Sequence, residues 1–191
     1  MRKVILQEFT TIDGLAADNK DELGFIESLM GDKHNIVDKD LLTFLDTIDT
    51  ILLGANTYKM FVEFWPTATT DEEIIADKLN ATPKIVFSKT LDTAPWGKWE
   101  AAKIVNTDAA DAIRRLKQEK GKDIVLWGSI SLARSLMKEG VIDEYQLRVC
   151  PVALGKGRPL FPEGISTLNM QLLETKTYYN GVVFLRYGLN V

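Results

Sequence analysis

The sequence is poor in the residues that build disulfide bonds, metal centres and histidine-dependent active sites. It contains one cysteine, Cys150, and one histidine, His34. One cysteine cannot form an internal disulfide bond, which predicts a reducing compartment and a cytoplasmic protein. Two isolated ligands do not make a zinc site, so we expect no bound metal. His34 lies in a polar segment and is expected to be a solvated loop residue, which disfavours Ser-His-Asp and Cys-His catalysis.

Long apolar runs and an excess of charge of one sign are also missing. No apolar stretch approaches the roughly 20 residues of a membrane span, and the run after Met1 is broken by Gln7 and Glu8 too early for a signal peptide. The chain has 23 basic and 27 acidic residues, for a net charge of −4. We therefore expect a soluble protein with neither a membrane nor a nucleic-acid partner.

What is present is an alternation of short apolar runs with amphipathic segments. The runs predict strands at 3–9, 50–53, 84–87, 102–105 and 123–127. Helices are predicted at 40–46, at 108–120 with Thr107 as N-cap and Gly121 as a left-handed stop, and at 129–139 before Gly140. Strands that alternate with helices predict a mostly parallel sheet.

The last third has a different pattern. Segment 144–149 alternates as a strand with one wet face does, and 176–187 contains two strands around Asn180-Gly181, a strong hairpin signal. No Pro- or Gly-rich linker and no internal repeat divides the chain. At 191 residues, it is predicted to form a single α/β domain over 1–191, since domains commonly have roughly 100–200 residues.

Three predicted strands end in turns suited to a polar ligand, at Gly54, Ser88 and Gly128. Parallel strands would bring these turns to one edge of the sheet, where such folds bind ligands. Gly128 and Ser129 precede a helix whose free N–H groups and dipole suit a phosphate, although a plain turn with a serine cap has the same pattern. The segment 88–90 offers two hydroxyls and the Lys89 ammonium for a phosphate monoester, or is an ordinary exposed turn.

Other segments also have two interpretations. Segment 54–58 lines a groove or is only a helix start, with Asn56 or Thr57 as cap. Asp13-Gly14 is an active-site carboxylate or, more commonly, a turn. The aromatic cluster in 61–66 either forms one wall of a site for a planar substrate or packs in the core. Segment 155–157 opens no helix and so lacks the context of a dinucleotide-binding glycine motif.

In this order the motifs resemble a known family. Segments 123–136, 142–145 and 151–161, supported by 11–14, 53–58 and 86–91, are similar to stand-alone reductases related to the C-terminal domain of RibD, the bifunctional deaminase/reductase of riboflavin biosynthesis. The resemblance covers almost the whole chain. It implies a dihydrofolate reductase-like fold with an eight-stranded mixed sheet flanked by helices, NADPH as cofactor, and a homodimer.

The resemblance also implies roles for individual residues. The cofactor side would comprise Gly54, Ala55, Thr57, Tyr58, Ser88, Lys89, Thr90, Trp127, Gly128, Ser129, Ile130, Gly155 and Gly157. The substrate side would comprise Asp13, Gly14 and Trp65. Asp13 is the candidate catalytic proton source, with bound water and Tyr58 as alternatives.

Two departures from the family pattern bear on function. The chain has Trp127-Gly128 where the family commonly has paired glycines, and Gly54-Ala55 where it commonly has Gly-Arg, so phosphate affinity would depend more on Lys89. These 191 residues contain no His-x-Glu and Pro-Cys-x-x-Cys pattern of the zinc deaminase partner domain. The expected function is NADPH-dependent reduction of a small carbonyl, imine or pteridine/pyrimidine-like substrate, resembling 5-amino-6-(5-phosphoribosylamino)uracil reductase. The alternative is a non-catalytic ligand-binding protein of this fold with a decayed cofactor groove.

Overall fold

The computed structural model describes residues 1–20, 22–27, 36–178 and 181–189; the predictions about His34 and Asn180 lie outside these residues. Sixteen elements follow one another along the chain: β1 (Val4–Thr11), β2 (Leu15–Asp18), α1 (Gly24–Glu27), α2 (Ile36–Leu45), β3 (Ile48–Gly54), α3 (Ala55–Phe64), α4 (Ala76–Ala81), β4 (Lys84–Phe87), β5 (Lys103–Val105), α5 (Ala109–Gln118), β6 (Asp123–Trp127), α6 (Ile130–Lys138), β7 (Glu144–Cys150), β8 (Gly157–Pro159), β9 (Met170–Thr177) and β10 (Val183–Leu189).

Eight strands form one mixed sheet in the order β5-β4-β3-β6-β1-β7-β10-β9. The six strands from β5 to β7 are mutually parallel, whereas β10 runs antiparallel to both β7 and β9. Strands β2 and β8 form a second, two-stranded antiparallel sheet. The predicted fold class is confirmed, and the strands predicted at 84–87 and 123–127 match β4 and β6 residue for residue.

Helices cover both faces of the sheet, which explains why β6 is apolar from Ile124 to Trp127. Ile124 and Leu126 belong to a core cluster that includes side chains of α5 and α6. Val125 and Trp127 belong to a second cluster that includes side chains of α2, α3 and α4. A parallel strand inside such a sheet is buried on both sides, so its sequence reads as a continuous apolar run. Within the described ranges, no helix is long and apolar enough to cross a membrane.

The prediction of a wet face on β7 is wrong. Glu144, Gln146 and Arg148 share one face of this strand and are all buried. The reason is the position of β7 inside the sheet, between β1 and β10. Glu144 is neutralised there by Arg186 of β10, whose Nε donates at 2.6 Å, and it also accepts a hydrogen bond from Gln146 at 2.9 Å.

The predicted ends of α5 are also wrong. Asp108, not Thr107, caps its N-terminus by accepting a hydrogen bond from the Asp111 backbone N–H. Gly121 is not left-handed. A Cβ at that position would lie 2.5 Å from Oδ2 of Asp49, so glycine is needed there for close approach. The cap of α3 is Gly54 rather than Asn56 or Thr57.

Candidate functional site

The ends of β3, β4 and β6 meet at one edge of the sheet, as predicted for parallel strands. β3 lies between the other two, with Leu53 opposite Val86 of β4 and Leu52 opposite Leu126 of β6. Each of these strands ends within two residues of those positions. Their following turns therefore lie side by side at the carboxyl edge, where open α/β sheets bind ligands.

The β6–α6 turn is built from two consecutive left-handed residues. Gly128 has φ 52° and Ser129 has φ 60°, the one described non-glycine residue with positive φ. Ser129 is held in place from three sides: its N–H donates to Thr57 Oγ1 at 3.0 Å, its Oγ accepts from Gly54 N at 2.8 Å, and it donates to Trp127 O at 3.0 Å. Strained backbone of this kind persists where the surroundings over-determine it.

This turn leaves the N-terminus of α6 available to a ligand. Ser129 makes no side-chain cap hydrogen bond, so the serine-cap interpretation is wrong. The first N–H groups of a helix have no intrahelical acceptor, and together with the helix dipole they favour an anion. Ile130, Ser131 and Leu132, which carry these groups, line the main cavity.

That cavity has a volume of about 980 Å³ and joins two chemically different walls. One wall is the backbone-rich edge formed by Ala55–Thr57 of α3 and Gly128–Leu132. The other is largely apolar and contains Phe9, Phe61 and Trp65. Side chains of α1, α2 and α4 and of the small sheet complete the lining.

Trp127 forms part of the apolar wall and leaves the cavity open. Its indole Nε1 donates to Gln7 Oε1 at 2.5 Å, and Gln7 Nε2 donates onward to Gln146 Oε1 at 2.9 Å. Phe61 stands 6.4 Å from the Trp127 ring and 6.2 Å from the Trp65 ring, in tilted pairs. The indole is therefore fixed against the sheet.

Two arginines contribute positive charge to the cavity. Arg148 of β7 is 2% exposed and lies 5.5 Å from the ring centroids of both Phe9 and Phe184. Arg158 of β8 donates from Nη2 to Ser131 Oγ at 2.5 Å, which places its guanidinium at the first turn of α6. Positive charge thus reaches the N-terminal end of α6 from a different strand, β8.

A buried acid lies beside the β6–α6 turn. Glu8 of β1 is 7% exposed and lines the cavity. Its Oε1 accepts from the Phe9 backbone N–H at 3.2 Å, whereas its Oε2 has no hydrogen-bond partner. Burial raises the pKa of Glu8 to about 8, which keeps the carboxyl group largely neutral at pH 7.

The predicted site residues divide between the cavity and its surroundings. Ala55, Thr57, Trp65, Trp127, Gly128, Ser129 and Ile130 line the cavity. Gly54, Tyr58, Ser88, Lys89, Thr90, Asp13, Gly14, Gly155 and Gly157 do not. Tyr58 is turned into the core, where its hydroxyl donates to Pro95 O at 2.8 Å.

The Ser88 turn is closed on itself. Ser88 is 8% exposed, and its Oγ accepts from the backbone N–H groups of Thr90 at 3.2 Å and Leu91 at 3.1 Å. Lys89 and Thr90 are exposed. The exposed side chains at this turn are therefore the Lys89 ammonium and the Thr90 hydroxyl, whereas the Ser88 hydroxyl is buried.

Asp13 is ionised and stands at the surface. It accepts hydrogen bonds from the Thr11 hydroxyl and from the N–H of Gly155 at 2.7 Å. These bonds, the Thr11 hydroxyl first, lower the pKa of Asp13. Gly157 lies in β8, where a Cβ would overlap the carbonyl oxygen of Ala17.

Glu8, Arg148 and Arg158 line the cavity but were not singled out from the sequence. Glu8 had a visible signal, because it follows Gln7 as a second polar residue inside an otherwise apolar strand. The arginines gave no local signal, since the pairing of distant strands brings them to the cavity. Among the residues that the structure describes, no group of three or more His, Cys, Asp or Glu side chains could hold a metal ion.

Comparison with known proteins assigns this geometry to a family. Residues 2–184 match the RibD C-terminal domain. The protein YyaP of Bacillus subtilis (strain 168) is 31% identical over 193 residues, which cover 99% of this chain and 96% of YyaP. A crystal structure from Shewanella sp. PV-4, of a protein named for riboflavin biosynthesis, has a TM-score of 0.78 at 24% identity and covers 99% of both chains.

A more distant structure has the same fold. Dihydrofolate reductase from Enterococcus faecalis, complexed with NADP(H) and RAB-propyl, superposes with a TM-score of 0.61 at 12% identity, covering 99% of this chain and 97% of that one. The architecture is thus dihydrofolate reductase-like. The chain belongs to the RibD C-terminal domain family.

Proposed function

We propose that the protein is an NADPH-dependent reductase of a small planar heterocycle with a carbonyl or imine bond, of the pyrimidine or pteridine type. The observation that carries this proposal is that one cavity contains both the N-terminus of α6, which suits an anion, and an aromatic wall. An enzyme that transfers a hydride needs both ligands in one water-poor space, with the reacting atoms adjacent.

The backbone-rich wall fits the diphosphate of a dinucleotide. Gly128 carries no side chain above the turn, and a Cβ there would lie 3.4 Å from Thr57 Cγ2. The α6 N-terminus supplies N–H donors, and Arg158 supplies positive charge at the same turn. The unpartnered Oε2 of Glu8 adds a polar atom that the protein itself does not satisfy.

The aromatic wall fits a flat ring. Phe61 and Trp65 offer apolar surface, and Gln7 offers an amide that is already oriented by Trp127 and Gln146. Arg148 is a buried cation on the same side of the cavity. A ring oxygen or an anionic ring nitrogen would be stabilised there, because charge interactions are stronger in a buried site.

Bound NADPH would supply the hydride, and the chain would position the ring and exclude bulk water. The geometry favours bound water as the proton source over Asp13 and Tyr58, the two side chains that were considered for this role from the sequence. The Asp13 carboxyl has a lowered pKa and lies outside the cavity lining. The Tyr58 hydroxyl is directed to Pro95, and burial raises its pKa.

The test separates cofactor binding from substrate binding. Calorimetric titration with NADPH should show saturable binding to the wild-type protein. Pyrimidine and pteridine analogues whose imine or carbonyl bond can accept a hydride are then screened for NADPH oxidation. Trp65→Leu should raise KM for an accepted substrate at least about fivefold, since it removes aromatic contact area, and should leave the Kd of NADPH unchanged.

Two results would count against the proposal. No NADPH binding would remove the cofactor assignment. Binding without turnover of any analogue would favour the non-catalytic ligand-binding alternative. The homodimer stays a prediction, which light scattering coupled to size-exclusion chromatography can check.

A further inference from the structure

Glu8 is the one described carboxylate that is both buried in the cavity lining and left with an unpartnered oxygen. Leaving a buried polar atom without a partner destabilises the fold, so such an atom is seldom retained without a function. The position of the neighbouring Gly128 shows from which side a hydrogen-bond partner could reach Glu8 Oε2. A Cβ placed on Gly128 would lie 4.0 Å from Glu8 Oε2, so the carboxyl group borders the space above the β6–α6 turn.

We propose that Glu8, in its neutral form, donates a hydrogen bond from Oε2 to the diphosphate of a nicotinamide dinucleotide held at the N-terminus of α6, which couples cofactor binding to uptake of a proton. This inference rests on the proposed function and adds a residue and a pH dependence to it. An ionised Glu8 would instead repel the diphosphate, because two anions would share a poorly solvated space.

Burial, rather than a neighbouring charge, raises the pKa of Glu8. In the described lining, Arg148 on β7, Arg158 on β8, Glu22 before α1 and Glu73 before α4 are the other charged side chains. The parts of α3, α6, β2 and β6 that line the cavity carry none. Arg158 donates to Ser131 and Arg148 lies between two phenyl rings.

The expected pH dependence follows from the sign of the Glu8 shift. With a pKa of about 8, free Glu8 is mostly protonated at pH 7 and mostly ionised at pH 9. A nearby diphosphate favours the protonated form still more. Affinity should therefore be highest below pH 8 and should fall about tenfold from pH 7 to pH 9.

The experiment measures proton uptake directly. NADPH and NADH are titrated into the protein by calorimetry at pH 8.5 in buffers of different ionisation enthalpy. NADH is included because its diphosphate does not titrate in this range. The wild-type protein should take up roughly half a proton or more per cofactor bound.

Variants isolate the contribution of Glu8. Glu8→Gln keeps a donor but cannot titrate, so it should bind both cofactors with no proton uptake from this position and with little change from pH 7 to pH 9. Glu8→Leu removes the donor and should weaken binding at pH 7 at least about fivefold. Glu63→Gln, which removes an exposed carboxylate of α3 outside the cavity lining, should behave as wild type.

Among the described residues, Lys84 is a second buried group whose pKa is shifted toward neutral pH. Burial lowers the pKa of Lys84 to about 7, and its ammonium is held by the carbonyl oxygens of Leu79, Asn80 and Thr82. It lies outside the cavity lining. Comparison of wild type with Glu8→Gln subtracts any proton that Lys84 exchanges.

The outcomes are distinguishable. Proton uptake that disappears in Glu8→Gln supports the inference. Cofactor binding by the wild type with no proton uptake, or with the same uptake in Glu8→Gln, overturns it and leaves the proposed function intact. Binding of neither NADPH nor NADH overturns both.

Discussion

Strands β4 and β6 both end in a short serine-containing turn at the same edge of the sheet, and the two turns are built differently. After β6 the chain enters α6 directly, and Ser129 bonds across to Gly54 at the end of β3. After β4 the Ser88 hydroxyl accepts from its own turn, and no helix follows before β5.

The difference shows which features at the end of a strand favour the binding of an anion, as we propose for the β6 end. At the β6 end, the serine is used to fix the turn and the helix supplies free N–H donors. At the β4 end, the Ser88 hydroxyl itself accepts from the nearby N–H groups, which leaves the exposed side chains of Lys89 and Thr90. A hydroxyl next to a lysine is thus a weaker indication of a phosphate site than a glycine next to a helix start.

The largest expected effect comes from filling the space above the β6 turn. Gly128→Val places a branched side chain at φ 52°, against Thr57 and in the path of the ligand. We expect NADPH binding to weaken at least about 100-fold, or about 3 kcal/mol, by calorimetry. The fold should lose about 1–2 kcal/mol in urea denaturation, because left-handed backbone is unfavourable for a residue with a Cβ.

Gly140 provides the matched control at the other end of α6. It has φ 62°, and a Cβ there would meet nothing within 4 Å. Gly140→Val should cost the fold a similar amount and leave NADPH affinity unchanged. Equal binding losses in both variants would mean that backbone strain, not occupation of the β6 turn, explains the effect.

Arg158→Gln is expected to have the next largest effect. A charge-assisted hydrogen bond at the first turn of α6 is worth about 1.5–3 kcal/mol. Because Arg158 is partly exposed, we expect a loss near the lower end of that range, so NADPH binding should weaken about ten- to thirtyfold. NADH should be affected equally, since both cofactors carry the diphosphate. Arg134→Gln removes a positive charge from α6 outside the cavity lining and should leave both affinities near wild type.

The contrast between local and distant signals explains how much of the site the sequence predicted. The β6–α6 turn was predicted because a strand, a Gly-Ser pair and an amphipathic helix are consecutive in the chain. Arg158 was missed because β8 reaches the cavity only by pairing with β2. Glu8 was missed because β6 is its neighbour in the sheet and not in the sequence.

The same reasoning applies to the fold. The parallel strands, helices α2, α5 and α6, and the antiparallel end of the sheet follow from periodicity and turn residues, whereas α1, α4, β2 and β8 were not predicted. The burial of Glu144 and Arg148 does not, because it depends on β7 being flanked by β1 and β10. An alternating strand has the same pattern whether its polar face meets water or buried polar partners.

Lys89→Ala should have the smallest effect and is the sharpest test of the β4 turn. From the sequence, the Lys89 ammonium is available to a phosphate monoester, and in NADPH that group would be the 2′-phosphate. Removing this contact would weaken NADPH binding by about 1–3 kcal/mol. Since Lys89 is exposed and outside the cavity lining, solvent screening places the expected loss near 1 kcal/mol, or about fivefold. NADH, which lacks this phosphate, should bind as before. Lys103→Ala, at the opposite end of neighbouring β5, should change neither affinity.

If Lys89→Ala also left NADPH binding unchanged, the β4 turn would have no part in cofactor recognition, and preference for NADPH would have to arise elsewhere. If it weakened NADPH and NADH equally, Lys89 would act on the diphosphate, and the distinction between the two strand ends would fail.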